Sequence, residues 1–151
     1  MYAFETLEVG QKFSSGGRTL TETDLVMFCM MMGDWHAIHA DETYAKQTRV
    51  GQRMFVGTFG ISLAIAQSAD LLQLKNRIVA ALGLKDWTFK APLFIGDTVH
   101  TELEIAGTRR TSDGKRGVIT RTIRLVKHDG TVAQEGQADL LVELQDAGAS
   151  Q

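Results

Sequence analysis

The run Gly57–Leu74 constrains this chain more than any other stretch. Phe59, Ile61, Leu63, Ala64, Ile65, Ala66, Ala69, Leu71 and Leu72 fall at helical spacing and cover most of a helix circumference. A helix with so little polar surface has to be enclosed, and the Gly and Ala in its first half suit close contact with a sheet. The chain beyond it supplies that sheet. Arg77–Lys90, Thr98–Ile105, Gly117–Val126 and Thr131–Leu144 read as strands, and in Thr98–Ile105 the apolar face holds Val99, Leu103 and Ile105 with Thr101. In the last strand Val132, Ala138, Leu140, Val142 and Leu144 face one way. Asp113-Gly114 and Asp129-Gly130 make hairpin turns, because Asp-Gly suits positions of positive φ. The pattern predicts an antiparallel meander of about four strands curling around one apolar helix. That is an α+β chain with one domain over residues 1–145 and a frayed tail at 146–151.

Upstream of the central helix, Lys12–Leu20 reads as an extended, bulged strand. Thr21 is placed to cap a helix whose first turn is acidic. Leu25–Met32 is apolar all round, which predicts a buried helix with Met27, Met30, Met31 and Met32 as core filler. Gly33 ends it, Asp34–Ala40 is expected to be a loop, and Asp41–Lys46 a short capped helix.

A net charge of −2 leaves no electrostatic footprint for nucleic acid. Cys29 stands alone, so no internal disulfide can form. No stretch has the length of a membrane span or the pattern of a secretory leader. The expectation is a soluble cytoplasmic protein with neither nucleic acid nor membrane as partner.

Groups that titrate are concentrated in Gly33-Asp34-Trp35-His36-Ala37-Ile38-His39-Ala40-Asp41. An imidazole exchanges protons near neutrality and a neighbouring carboxylate can hold or relay one, so acid–base chemistry is one use of this stretch. Divalent metal binding by Asp34, His36, His39 and Asp41 is another, although the spacing fits no zinc pattern. His100 on a strand and His128 at a hairpin turn read as structural.

Three separated blocks resemble the MaoC-type dehydratase family, which includes the (R)-specific enoyl-CoA hydratases. The family's Gly-Asp-x-Asn-Pro-(Leu/Ile)-His is matched by Gly33-Asp34-Trp35-His36-Ala37-Ile38-His39, followed by Asp41 and Tyr44. Its glycine at the start of the central helix is matched by Gly57. Its strand-turn-strand signature is similar to Trp87–Val99. The chain departs from the pattern at His36-Ala37, where the family has Asn-Pro, and at Val56, where a histidine is usual.

The resemblance implies a hotdog fold and a homodimer or higher homo-oligomer with an acyl-thioester site near the subunit interface. It also implies catalytic roles for Asp34 and His39 in reversible hydration of a trans-2-enoyl thioester of CoA or acyl carrier protein. Gly57, at a helix N-terminus, offers an outward N–H to the thioester oxygen as oxyanion site. No metal and no organic cofactor is called for. Arg109, Arg110, Lys115 and Arg116 flank a hairpin and read as a solvated turn, with CoA phosphate contact as the lesser alternative. Two rivals stand beside hydration. One is a hotdog acyl-CoA thioesterase, for which Asp70, late in the run, is the only carboxylate of the central helix; the other is a non-catalytic acyl-thioester-binding subunit, suggested by the departures at His36-Ala37 and Val56.

Overall fold

The chain opens with a 3-10 turn at Phe4–Thr6 and two short strands, β1 (Lys12–Ser14) and β2 (Arg18–Thr19). Helices α1 (Glu22–Met32), α2 (Ala37–Ala40) and α3 (Glu42–Gln47) precede the long α4 (Gly57–Leu72). A 3-10 turn at Lys75–Arg77 leads into β3 (Ile78–Phe89), β4 (Thr98–Arg110), β5 (Arg116–Lys127) and β6 (Val132–Glu143). The computed structural model describes residues 2–145, the side chain of Lys75 excepted; the expected tail at 146–151 lies outside the described residues.

The local chemistry behind these elements is direct. Thr21 accepts from Asp24 N–H while the Asp24 carboxylate accepts from Thr21 N–H, a reciprocal cap that starts α1. Gly33 ends it at φ 69°, where an L side chain would be strained. Asp41 caps α3 by accepting from Tyr44 N–H. The Asp-Gly hairpins form as expected, with Gly114 and Gly130 at positive φ.

All strands pair antiparallel in a six-stranded sheet of order β1-β4-β5-β6-β3, with β2 also on β4. The meander is thus β4-β5-β6 only. β3 does not pair with β4, its successor; it lies on the far side of the sheet against β6, with Leu84 opposite Ala138. The intervening segment explains this. After β3, Leu93 accepts from Phe55 N–H and Phe94 bridges Met54, so the chain is carried across before Gly96-Asp97 turns it into β4.

Helix α4 packs against β4, β5 and β6, and its apolar face meets Val99, Ile123, Leu125 and Ala138 near its start. Near its end it meets Leu103, Ile105, Ile119 and Leu140. A polar layer separates these two cores. Thr101 donates to Gln67 Oε1 at 2.7 Å, and Arg121 Nη1 donates to Ser68 Oγ at 2.9 Å. At the start of β6 the alternation is displaced by a register shift between Leu125 and Val126, so Ala133 and Gln134 are buried where Val132 was expected.

Helix α1 is not enclosed. Only Leu25 and Cys29 are buried, while Met27, Met30, Met31 and Met32 stand 51–67% exposed, so they are not core filler in the single chain. An eleven-residue helix lying on one side of the sheet buries a single stripe, however apolar its remaining faces are.

Arg121 is 1% exposed, and no carboxylate lies within ion-pair distance of it among the described residues. Burial pushes its guanidinium down to about 10, against the pull of the Asp139 carboxylate. A cation depressed in the fold costs stability at every pH below that value, here on the order of 3 kcal/mol, and the cost is relieved only as pH rises toward the ordinary arginine range. Arg121→Met, of similar length and uncharged, is therefore expected to melt at or above the wild-type temperature in a thermal scan at neutral pH. A markedly lower melting point would show that the bonds to Ser68 and to the Ala138 carbonyl outweigh the cost of burial.

Candidate active site

Asp34 follows the glycine that ends α1, and its N–H donates back to the Cys29 carbonyl. Its Oδ1 accepts from His36 N–H at 3.2 Å, which turns Oδ2 toward His39. The stretch after it is not the expected loop throughout: Ala37–Ala40 closes a helical turn, capped by His36, whose Nδ1 accepts from Ile38 N–H at 3.3 Å. The capping acceptor that replaces a loop with a helical turn is thus the ring of a residue outside the usual capping set.

His39 lies on that turn and is buried. Its Nδ1 is 2.7 Å from the Met54 carbonyl oxygen, which can only accept, so Nδ1 carries the proton and Nε2 is left with its lone pair. Nε2 is 3.9 Å from Asp34 Oδ2. That gap is too long for a direct hydrogen bond and allows one small oxygen to contact both. Burial pushes the Cys29 thiol up, and the Asp34 carboxylate close by adds to the effect, so the thiol stays protonated beside the pair.

Gly57 begins α4 three residues after Met54. The preceding Val56 supplies no side-chain cap, and among the described residues nothing accepts from Gly57 N–H. That donor therefore stands free at the positive end of a sixteen-residue helix. Its carbonyl accepts from Gln134 Nε2 at 3.0 Å, and Gln134 Oε1 accepts from Trp87 Nε1 at 3.1 Å. A Cβ on Gly57 would lie 3.0 Å from the exposed Phe89 ring, while one on Gly60 would fall 2.2 Å from Gln134 Nε2. A cleft of about 380 Å³ opens at this helix start between Arg49, Met54, Gly57, Phe89 and Lys90. A depression of about 370 Å³ on the outer face, beside Lys12, Ser14 and Arg124, contains none of the Asp34, His39 and Gly57 set.

The structure thus sets Asp34 beside His39 and bonds His39 to the chain that leads into Gly57; of the three, Gly57 alone lines the cleft. It separates the other candidates. Asp41 is spent capping α3, His36 is spent capping α2, and no group of three His, Cys, Asp or Glu side chains gathers as an ion site among the described residues. Asp70 is exposed and lies thirteen residues along α4 from Gly57, roughly 20 Å away along the helix axis. Sequence reasoning missed Gln134, Trp87 and the Met54 carbonyl. Gln134 carried a usable signal as a polar residue next to Ala133 in an apolar strand; a backbone carbonyl has none.

The family profile of the MaoC like domain matches residues 4–127. This chain belongs to the MaoC-like dehydratase family. The (R)-specific enoyl-CoA hydratase of Rhodospirillum rubrum is 30% identical over 142 residues, covering 94% of this chain and 92% of that enzyme. Protein MaoC of Klebsiella aerogenes is 32% identical over 100 residues, but the matched part spans only 29% of its length. Among solved structures, R-hydratase PhaJ1 from Pseudomonas aeruginosa superposes with a TM-score of 0.79 at 26% identity, covering 95% of this chain and 86% of that one. A Mycobacterium tuberculosis protein with a double hotdog fold superposes at 0.86 with 20% identity, covering 97% of this chain and 45% of its own, and this likeness establishes the fold alone. The MaoC-like chain is a single hotdog domain, with α4 wrapped by the curved sheet.

The Gly60 contact yields a test of how the helix start is held. Gly60→Ala is expected to destabilise the protein by about 1–3 kcal/mol in urea denaturation, because Gln134 must give up its place between Gly57 and Trp87. A variant as stable as wild type would show that Gln134 is free to move.

Proposed function

We propose that this MaoC-like protein is a hydro-lyase that reversibly hydrates a trans-2-enoyl thioester, with CoA as carrier, to the (R)-3-hydroxyacyl thioester. The observation that carries the reading is the fixed tautomer of His39, whose bare Nε2 faces Asp34 Oδ2 across 3.9 Å. A water between them would be oriented by the carboxylate and the imidazole. As its oxygen bonds to C3, one proton passes to the Asp34–His39 pair, and the pair delivers a proton to C2 on the way to the product. The two groups act as one titrating unit, so neither is assigned acid or base alone. Electron density moving onto the thioester oxygen would be met by Gly57 N–H, a donor of a kind whose loss costs other enzymes roughly 3–4 kcal/mol. The hydratase names of the relatives support the same chemistry. An ester-cleaving reading lacks a helical carboxylate near Gly57, since Asp70 is far along α4.

A homodimer belongs to this reading. β3 spans twelve residues, pairs with β6 along one edge, and leaves its other edge without a strand among the described residues. Leu82 and Leu84 on it are each 49% exposed. A second copy adding its own β3 would satisfy that edge and cover those side chains. Among the described residues no helix is long and apolar enough to cross a membrane, and a cytoplasmic setting, where CoA thioesters are available, completes the proposal.

Asp34→Asn and His39→Gln are each expected to lower kcat for hydration of a short or medium trans-2-enoyl-CoA by about 10²–10⁴-fold with the circular dichroism spectrum unchanged. Retention of wild-type turnover in either variant, or release of free CoA thiol in place of hydration, sinks the assignment. Light scattering on the eluting protein is expected to give twice the mass of the chain. A monomer would remove β3 as the joining edge.

A further inference from the structure

We propose that His36 is a positioning residue: its neutral imidazole holds Asp34 and His39 in register, and its protonation releases them, giving the reaction a second brake on the acid side. This rests on the hydration reading above. His36 bonds in both directions. Its N–H donates to Asp34 Oδ1 at 3.2 Å, and its Nδ1 accepts from Ile38 N–H at 3.3 Å. Its carbonyl accepts from His39 N–H at 2.8 Å and from Ala40 N–H at 3.3 Å. One residue thus takes two of the N–H groups that a helix start leaves without partners, those of Ile38 and His39, and also accepts the turn's first regular bond from Ala40. A helix of four residues has no stability of its own, so the turn that carries His39 depends on these bonds.

The ring bond holds only while Nδ1 is bare. His36 must therefore carry its proton on Nε2, the opposite tautomer to His39, which carries its proton on Nδ1. When His36 gains a second proton, Nδ1–H faces Ile38 N–H, donor against donor, and the bond is lost. Imidazoles change charge over roughly pH 5–8, and His36 is exposed, so solvent protons reach it freely. The titratable groups facing it are the Asp34 carboxylate, which accepts from its N–H, and the His39 ring, 6.3 Å away. The Tyr44 ring lies 6.2 Å off. Asp41 is engaged by Tyr44 N–H, and Arg53 is held between Glu22 and Glu42.

Asn and Phe separate the two properties of the side chain. Asn places an amide oxygen where Nδ1 stands and cannot be protonated in this range; Phe keeps a ring beside Tyr44 and has no acceptor. The experiment is the pH profile of kcat and kcat/KM for enoyl-CoA hydration in wild type, His36→Asn, His36→Phe and His36→Ala. The plateau kcat of the Ala and Phe variants is expected to fall by about threefold to tenfold, and that of the Asn variant to recover most of the loss. On the acid side, log kcat/KM of wild type is expected to show an additional drop of about 0.5–1 log unit, the threefold to tenfold loss of the Ala variant, which the Asn variant lacks. A Phe variant with wild-type kcat, or an Asn variant with the wild-type acid limb, overturns the proposal. Nitrogen NMR of the imidazoles and amide exchange at Ile38 provide readouts independent of turnover. The two histidines are expected as opposite tautomers, with Ile38 losing protection as His36 protonates and keeping it in His36→Asn. If those signals hold and wild type hydrates no enoyl thioester, the hydration reading fails and the brake with it; if wild type hydrates and the signals do not hold, His36 alone is misassigned.

Discussion

Two hydrogen bonds at Met54 hold this site together. Its N–H donates to the Ile38 carbonyl and its own carbonyl accepts from His39 Nδ1. Both partners lie on α2, so a one-turn helix too short to persist alone is fastened to the strand-like segment that runs into α4. The first bond locates the turn. The second selects the tautomer of the buried imidazole, and so decides which nitrogen faces Asp34. Phe55 N–H donates to the Leu93 carbonyl and an isolated bridge pairs Met54 with Phe94, which extends the link to the segment between β3 and β4. The imidazole, the carboxylate and the helix N–H are therefore set by one continuous piece of backbone.

A second set of contacts fixes the helix start from below. Gln134 bonds the Gly57 carbonyl and the Trp87 indole, and Gly60 is the glycine that lets Gln134 lie against α4. The Gly57 carbonyl shares its peptide with Thr58 N–H, so Gln134 fixes the peptide that follows the Gly57 N–H and ties the helix start to β3 and β6. Positive helix ends are common; this one is aimed by neighbouring strands. Its companion across the site, the half-exposed Asp34, is aimed by nothing more than His36 N–H and the turn after Gly33.

The sequence carried most of this frame because the relevant signals are local. Asp-Gly pairs, the Thr21 and Asp41 caps, Gly33 and the apolar run from Gly57 each act within a few residues, and each forms the element expected of it. That Asp34 and His39 lie near each other and that Gly57 opens α4 was legible through spacing and resemblance together. What was not legible depends on distant partners. The pairing of β3 with β6 is decided by how Leu93 and Phe94 carry the chain, the exposure of the α1 methionines by what lies on the helix's outer side, and the burial of Ala133 and Gln134 by a register shift. Arg121 gave no sign in sequence because an arginine inside a sheet reads as an outward-facing residue until its neighbours are known. His36 was visible but mute, since imidazole is a rare helix cap and only the geometry shows it serving as one.

The polar layer of Thr101, Gln67, Ser68 and Arg121 divides one sheet into two territories. Four long elements cross it: α4 passes from Ala64 to Leu72, β4 from Val99 to Leu103, β5 from Ile123 to Ile119, and β6 from Ala138 to Leu140. Side chains on opposite sides share no apolar contact surface, so changes of volume on one side are relieved there and are not transmitted to the other. The end holding Phe4, Leu7, Leu72 and Leu74 is thus packed apart from the end beneath Gly57, with a row of hydrogen bonds as the border between them.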